Sequence, residues 1–168
     1  MNLDLRRLVP TDAAALRALR IEAFTHHPRE FRSTPAEEAA EPLAALEATL
    51  ARDCYLGLFD GETLAGATGL AIEPRAKLAH KATVKGVFVR QSHRGQGGAE
   101  GLLRALLAEA AGKVEAVHLS VSDGNGPALR LYTRLGFVIW ATEPRALKLA
   151  DGTFVDEMSM VRRVTAVG

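Results

Sequence analysis

The chain has 168 residues, enough for one domain that buries its own core, and its 21 lysine and arginine residues nearly balance 20 aspartate and glutamate residues. The near-neutral charge excludes the global basic field of a general nucleic-acid binder, so any anion-binding site has to be local. A single cysteine, Cys54, excludes an internal disulfide framework and a cysteine-rich zinc site.

No stretch of the chain has the composition of a membrane segment. The start, MNLDLRRLVP, lacks the long apolar run of a secretion signal. No window approaches the run of ~20 apolar residues that a membrane span requires. We therefore expect a cytoplasmic protein that binds neither membranes nor nucleic acid.

The first half of the chain predicts a strand, two helices and a hairpin. A strand at Leu3 to Val9 precedes a helix over residues 12–24, for which Thr11 is the expected N-cap. A second helix, rich in alanine and glutamate, is predicted over Pro35 to Ala51. Residues 54–72 then predict two strands joined at Asp60-Gly61, which is a typical hairpin turn.

The second half of the chain alternates strands and helices and ends in a hairpin. A strand at Lys81 to Val89 leads through a glycine-rich turn into a helix with the predicted buried stripe Leu102, Leu103, Leu106, Leu107 and Ala110. A strand over residues 114–122 and a helix over residues 126–135 follow, and the closing hairpin turns at Asp151-Gly152. No repeat or linker interrupts the chain, so we expect one domain over residues 1–168.

The glycine-rich turn has the features of a phosphate site. Gly95, Gly97 and Gly98 stand beside Arg94 at a helix start, where missing side chains let an anion approach and free N–H groups attract it. The spacing excludes two common templates. A dinucleotide fingerprint would need glycine where Glu100 stands, and no G-K-[ST] follows for a Walker A loop.

Two motifs in order indicate a family. The first is R-x-x-G-x-A, directly after the strand VFV, on Arg94, Gly97 and Ala99. The second is N-x-x-A-x-x-x-Y-x-x-x-G-F, on Asn125, Ala128, Tyr132, Gly136 and Phe137. With these motifs the chain resembles the GNAT N-acetyltransferase family, over nearly its whole length and most strongly from residue 87 to residue 137.

The resemblance implies an α/β fold with a mixed, largely antiparallel sheet of about seven strands and helices on both faces. It implies acetyl-CoA as cosubstrate, with its pyrophosphate on the turn and its pantetheine arm along the preceding strand, which separates from its neighbour at a bulge. The cofactor-binding residues implied are Val87, Phe88, Val89, Arg94, Gly95, Gln96, Gly97, Gly98, Ala99, Glu100, Asn125 and Tyr132. An ordinary buried strand would explain the side chains of residues 87–89 equally well.

Tyr132 is the predicted catalytic residue. An amine that attacks a thioester expels a thiolate, and a positioned hydroxyl can donate a proton to it. Asn125 stands about two helical turns, ~10 Å, before Tyr132 and could bind a pantetheine amide. The alternatives are a core-packing role for Tyr132 and an N-cap role for Asn125, the second of which is compatible with cofactor binding.

The general base is left open, because Lys85 and Ser120 occupy the positions where several relatives carry a carboxylate. The candidates, acting directly or through a water, are Glu73, Glu22, His80 and Asp123. Each of the four is more simply explained as a polar surface residue.

The adjacent histidines His26 and His27 have no further ligands in the pattern, so we predict no metal site. A substrate-side loop explains them better. The segment THHPREF, residues 25–31, is expected to border the acceptor site, as the corresponding loop does in relatives of the family.

The predicted function is acetyl-CoA-dependent transfer of an acetyl group to a primary amine of a small molecule, a protein N-terminus or a lysine. A noncatalytic acetyl-CoA-binding regulatory module is the first alternative, and a noncatalytic phosphate-binding or partner-docking domain is the second. A homodimer is compatible with the sequence. The acceptor and the use of acyl groups longer than acetyl are left open.

Overall fold

The structure, a computed structural model, describes residues 3–164 and places seven strands in one sheet. The strands are β1 (Leu3–Arg7), β2 (Cys54–Asp60), β3 (Thr63–Ile72), β4 (Lys81–Val89), β5 (Ala116–Ser122), β6 (Val138–Lys148) and β7 (Phe154–Arg163). Their order is β1-β2-β3-β4-β5-β7-β6, and every neighbouring pair is antiparallel except β4 with β5. The predicted fold class is confirmed.

The helices divide the first half of the chain more finely than predicted. They are α1 (Ala13–His26), α2 (Pro35–Ala40), α3 (Leu43–Arg52), α4 (Gly98–Ala110) and α5 (Gly126–Arg134). The single helix predicted over Pro35 to Ala51 was wrong, because Pro42 lacks an N–H and holds the preceding Glu41 in an extended conformation with ψ of 131°. No helix among residues 3–164 is long and apolar enough to cross a membrane.

The predicted N-cap of α1 at Thr11 was also wrong. Thr11 lies inside a short 3-10 turn, and α1 begins after Asp12. The Asp12 carboxylate accepts a hydrogen bond from the Val9 N–H at 2.8 Å and is bound by the guanidinium of Arg6 at 2.8 and 2.9 Å. It therefore fastens the turn to the end of β1 instead of capping the helix.

Two apolar cores lie on the two faces of the sheet. The α4 core contains the predicted stripe of α4, and these side chains pack with α5 and with residues of the central strands such as Leu58 and Val84. The α1 core contains Leu16 and Leu19 of α1, residues of α3, and Phe88 of β4. Helices on both faces thus bury the middle of the sheet.

A bulge in β4 decides which side chains reach each core. Ala67 pairs with Phe88 and Gly69 pairs with Lys85, so two residues of β4, Gly86 and Val87, stand opposite one residue of β3. Gly86 has φ of +51°, a conformation that favours glycine. Val84 and Phe88 would share a face in a regular strand, but the extra residue puts them in different cores.

The parallel strands β4 and β5 separate soon after they begin. They pair from Lys81 with Ala116 to Thr83 with His118. Beyond Thr83 the edge of β4 that faces β5 has no strand partner within the described residues. The bulge and the separation lie next to each other, as the resemblance implied, and together they open the sheet.

Candidate active site

Two cavities meet where β4 and β5 separate. The wedge cavity, about 390 Å³, lies between the separated strands and the starts of α4 and α5. The α1-side cavity, about 350 Å³, is lined by α1 and by residues of β4 and β7. Both are lined by Glu30, Phe31, Gly86, Phe88 and Ser120. Groups held in the two cavities can therefore meet beside the bulge of β4.

The structure brings most of the predicted cofactor residues together. Those that line the wedge cavity are Val87, Phe88, Val89, Arg94, Ala99, Asn125 and Tyr132. The others form the turn and the first residues of α4, and they are Gly95, Gln96, Gly97, Gly98 and Glu100. The two sequence motifs thus meet across the wedge cavity, although 25 residues separate Asn125 from Glu100.

The turn exposes backbone donors at the start of α4. Gly97 is the N-cap residue with φ of +77°, and its carbonyl accepts the Gly101 N–H at 2.9 Å. The N–H groups of residues 98–100, in the first turn of α4, come before this hydrogen bond and have no acceptor within the helix. A Cβ on Gly98 would lie 2.6 Å from Leu58 Cδ2, so this glycine also lets α4 pack closely on the sheet.

Glu100 is an acidic residue in the first turn of α4, where the helix N-terminus attracts anions. Its carboxylate is bound by Arg134 at 2.7 Å and by Arg104 at 2.8 Å. These two hydrogen-bonded arginines lower the pKa of Glu100. The ion pairs offset the negative charge of Glu100. Its backbone N–H is one of the first-turn donors of α4.

Arg94 links three segments of the site. Its Nε donates to the Val89 carbonyl at 2.9 Å, one Nη donates to Gln91 Oε1 at 2.9 Å, and the other lies 3.0 Å from His27 Nε2. The guanidinium also lies 5.7 Å from the centre of the Phe88 ring. Arg94 therefore holds the end of β4, the turn and the end of α1 in one arrangement.

Tyr132 is buried in the wall of the wedge cavity. It is 7% exposed, and its ring contacts that of Phe137 with centroids 6.1 Å apart. Burial, with a smaller contribution from the negative charge of Glu30, raises the pKa of Tyr132 to about 12. The hydroxyl is therefore protonated at neutral pH and available as a hydrogen-bond donor.

Asn125 caps α5 as well as lining the wedge cavity. Its Oδ1 accepts the Ala128 N–H at 3.3 Å, which is the N-cap contact that the sequence allowed. The cap uses the side-chain oxygen, so the amide N–H groups of Asn125 take no part in it.

The four residues considered as general base line neither cavity. Glu22 pairs with Arg90 at 2.9 Å. Glu73 lies at the wall of a separate cavity that includes Arg7 and Cys54. His80 accepts two backbone hydrogen bonds just before β4, and Asp123 is exposed and bonds through its N–H to the Asp156 carbonyl.

Sequence reasoning missed a buried carboxylate. Glu157 of β7 is 4% exposed, lines the α1-side cavity and is bound by Arg32, whose Nε lies 3.1 Å from Glu157 Oε2. Arg32 belongs to the loop of residues 27–34, and Glu157 lies 125 residues later. One signal was present: Glu157 follows buried Val155 at the two-residue spacing of a strand, so it faces the same side.

The loop of residues 27–34, which overlaps the segment of residues 25–31 predicted to border the acceptor site, borders both cavities. Glu30 and Phe31 line both of them, and His27 contacts Arg94 near the glycine turn. Among residues 3–164 no group of three histidine, cysteine, aspartate or glutamate residues could hold a metal ion.

Comparison with known proteins agrees with this arrangement. The model of the Acetyltransferase (GNAT) family matches residues 15–137. No curated protein matches the chain. An acetyltransferase of the GNAT family from Streptococcus pneumoniae has a similar structure, with a TM-score of 0.84 and 22% identity over 97% of this chain and 100% of that chain.

Two further solved structures have the same fold. The yncA protein of Salmonella typhimurium, solved with its cofactor acetyl-CoA, has a TM-score of 0.80 and 20% identity over 98% of this chain and 95% of that chain. A ribosomal-protein-alanine N-acetyltransferase from Brucella melitensis has a TM-score of 0.79 and 20% identity over 96% and 99%. With the family model matching most of its length, the chain belongs to the acetyltransferase (GNAT) family and is an acyltransferase.

Proposed function

We propose that the protein is an acetyl-CoA-dependent N-acetyltransferase whose acceptor is a primary amine of a small molecule or of a protein. The observation that carries this proposal is the wedge cavity, which runs from the glycine turn to a second cavity beside the bulge of β4. In such a layout a phosphate-bearing cosubstrate and an amine would occupy different cavities and meet beside the bulge of β4.

The cofactor side uses the turn and the open edge of β4. First-turn N–H groups of residues 98–100 and the helix dipole would bind the pyrophosphate. The edge of β4 beyond Thr83 offers backbone groups to the pantetheine arm and to the thioester carbonyl. Backbone N–H groups aimed at a developing oxyanion are a common way to stabilise acyl transfer.

Tyr132 would assist departure of the thiolate. The acetyl group is supplied as a thioester: the amine nitrogen bonds to the carbonyl carbon and the C–S bond breaks with its electron pair on sulfur. The amine gives its proton to water, so the products are an amide and the thiolate of CoA. A thiol has an ordinary pKa near ~8.5. Tyr132, with its pKa of about 12, would therefore stabilise the thiolate chiefly by donating a hydrogen bond.

Glu157 would serve the acceptor side. Its carboxylate lines the α1-side cavity within the same sheet face as Ser120, which also borders the wedge cavity. A buried carboxylate can bind an amine that enters next to it and orient the nitrogen toward the cofactor. Arg32 keeps the carboxylate in place.

The test is a screen of amines and peptide N-termini that follows release of free CoA, with a control lacking acceptor for hydrolysis. We expect one acceptor class to exceed that control. A melting temperature that does not rise with acetyl-CoA would contradict the proposal. Binding without turnover across the screen would favour the noncatalytic regulatory module instead.

The one-domain organisation, the cytoplasmic location and a homodimer remain predictions.

A further inference from the structure

Lys85 brings a positive charge to the α1-side cavity. It lies on β4 directly opposite Gly69 of β3, and Gly69 lies directly opposite Tyr55 of β2. Directly opposite residues point to the same face of a sheet, and Tyr55 belongs to the α1 core. The side chain of Lys85 therefore lies on the α1 face, where it is exposed and lines the α1-side cavity.

Two arginines at the same cavity are already matched by carboxylates of the protein. Arg20 pairs with Glu38 at 3.0 Å, and Arg32 pairs with Glu157. Lys85 makes no ion pair within residues 3–164, either here or in the separate cavity near β1 that it also lines. Its ammonium group is therefore available to an anionic group of a ligand.

Carboxylates lie elsewhere around the cavity. Glu157 stands on β7, which β5 separates from β4, and Glu30 lies in the loop that borders both cavities. Lys85 and Glu157 line the cavity without pairing with each other, which leaves the space between them to a ligand. An α-amino acid carries an amine and a carboxylate on one carbon, so it can meet both charges at once. An acceptor with a second positive charge would instead be repelled by Lys85.

One side of the cavity is aromatic. The ring of Phe31 contacts those of Phe24 and Phe88, with centroids 5.3 and 6.3 Å apart, and all three residues line the cavity. The volume of about 350 Å³ is at the small end for a ligand pocket. The wall and the volume fit a small molecule with an apolar side chain.

We propose that the acceptor is an amino acid with an apolar side chain, whose carboxylate binds Lys85 and whose amine lies toward Glu157 and the bulge of β4. This inference rests on the proposed function and narrows its acceptor to a small molecule with a free carboxylate. A protein N-terminus lacks that group next to its amine, because the carboxylate has become a peptide carbonyl. Lys85 does not line the wedge cavity, so we assign it to the acceptor and not to the cofactor.

The test uses leucine and phenylalanine, each beside its amide, as acceptors and follows release of free CoA. We expect the ratio of kcat/KM for the amino acid to kcat/KM for its amide to fall by roughly 10- to 100-fold from wild type to Lys85→Met, as for one lost contact between charged groups. The two acceptors differ in the basicity of the amine, but this difference is the same for both enzymes and cancels in the comparison.

Three further measurements separate the proposed contact from other effects. Lys77→Met changes an exposed lysine that lines neither cavity and should leave the ratio unchanged. Lys85→Arg keeps the charge and should keep most of the ratio. The Kd of acetyl-CoA should be the same in Lys85→Met as in wild type, which also shows that the variant is folded. If Lys85→Met does not fold, Lys85→Gln keeps a polar side chain and should lower the ratio in the same way.

Several outcomes would overturn the inference. An unchanged ratio in Lys85→Met would do so, and so would a wild type that acetylates the amides but not the amino acids, which would favour a protein N-terminus as acceptor. Glycine that reacts as well as leucine would remove the apolar side chain from the proposal. A wild type that acetylates neither class but gains melting temperature from acetyl-CoA would overturn the inference alone. Failure to bind acetyl-CoA would overturn the proposed function as well, so the two failures are distinguishable.

Discussion

At the scale of single residues, burial decides which groups can do chemistry in this site. Tyr132 lies in the wall of the wedge cavity, and burial raises the pKa of its hydroxyl to about 12. The Glu157 carboxylate is buried on β7 and held by an arginine from a loop. Each therefore has a fixed position, and each can be removed by a substitution that keeps its shape.

Tyr132→Phe deletes the hydroxyl and keeps the ring that packs against Phe137. We expect kcat to fall by ~10²-fold or more, with the Kd of acetyl-CoA nearly unchanged, because the hydroxyl acts on the leaving thiolate. Steady-state rates at saturating acetyl-CoA measure the change. A variant that turns over at the wild-type rate would return Tyr132 to a packing role.

Glu157→Gln removes a charge from the α1-side cavity with little change in volume. We expect kcat/KM for the acceptor to fall by roughly 10- to 100-fold, consistent with one lost charged contact of 1.5–3 kcal/mol. The Kd of acetyl-CoA should stay constant, because Glu157 does not line the wedge cavity. Glu62→Gln, the same change in the exposed β2–β3 turn, is the control. Equal acceptor kinetics in both variants would remove Glu157 from the acceptor site.

At the scale of elements, the ends of α4 offer a matched comparison for the cofactor. Gly97 and Gly112 flank this helix at its start and end, both have φ of +77°, and a Cβ on either meets no neighbouring atom. Glutamate at either position therefore imposes the same backbone strain and adds the same charge. Only the Gly97 variant places that charge at the proposed pyrophosphate site.

Gly97→Glu should reduce the stabilisation that acetyl-CoA gives, while Gly112→Glu keeps it. Like charges about 4 Å apart repel by ~1 kcal/mol even in water, so the Kd should rise by at least ~5-fold. Thermal shift over a range of acetyl-CoA concentrations measures this. Equal shifts in the two variants would place the pyrophosphate elsewhere.

The loop of residues 27–34 has two ends that contact different parts of the site. His27 lies beside Arg94 at the glycine turn, and Arg32 binds Glu157 in the α1-side cavity. We therefore expect His27→Ala to raise the Kd of acetyl-CoA and Arg32→Ala to raise the KM of the acceptor, each by a few-fold. Binding titration and steady-state kinetics on both variants test this separation. If His27→Ala changed only the KM of the acceptor and Arg32→Ala only the Kd of acetyl-CoA, the assignment of cofactor and acceptor to the two cavities would be reversed.

At the scale of the whole molecule, burial of tyrosine links stability to alkaline pH. Burial raises the pKa of Tyr132 to about 12, above the ordinary value of 10.0. A group whose pKa is raised by folding contributes stability below its unfolded pKa and loses it as pH rises toward the folded value. The contribution of Tyr132 is thus present below pH 10 and is lost between pH 10 and about 12.

The free energy of unfolding of Tyr132→Phe should consequently fall less with rising pH than that of wild type. From pH 8 to pH 11 the wild type should lose about 1.4 kcal/mol more of its free energy of unfolding than the variant. Urea titrations at both pH values measure the difference. Burial also raises the pKa of Tyr55, which lies in the α1 core. Tyr55→Phe should therefore reduce the loss of stability at alkaline pH in the same direction. Identical slopes for wild type and Tyr132→Phe would contradict the assigned cause.

The sequence by itself determined the strands of both hairpins, the buried stripe of α4 and the two motifs that indicate the family. These features are local: alternation, helical spacing and turn residues act over a few positions, so they can be read without the rest of the fold. The same locality explains the errors. Asp12 and Pro42 changed the expected helix boundaries through contacts and backbone limits that periodicity does not weigh.

Only the tertiary structure decided how the site is completed. Arg32 meets Glu157 across 125 residues, and the wedge cavity forms only where β4, β5, α4 and α5 come together. The raised pKa of Tyr132 likewise follows from burial among elements distant in sequence. Contact and desolvation depend on distance in space, and the spacing of residues along the chain carries no measure of that distance.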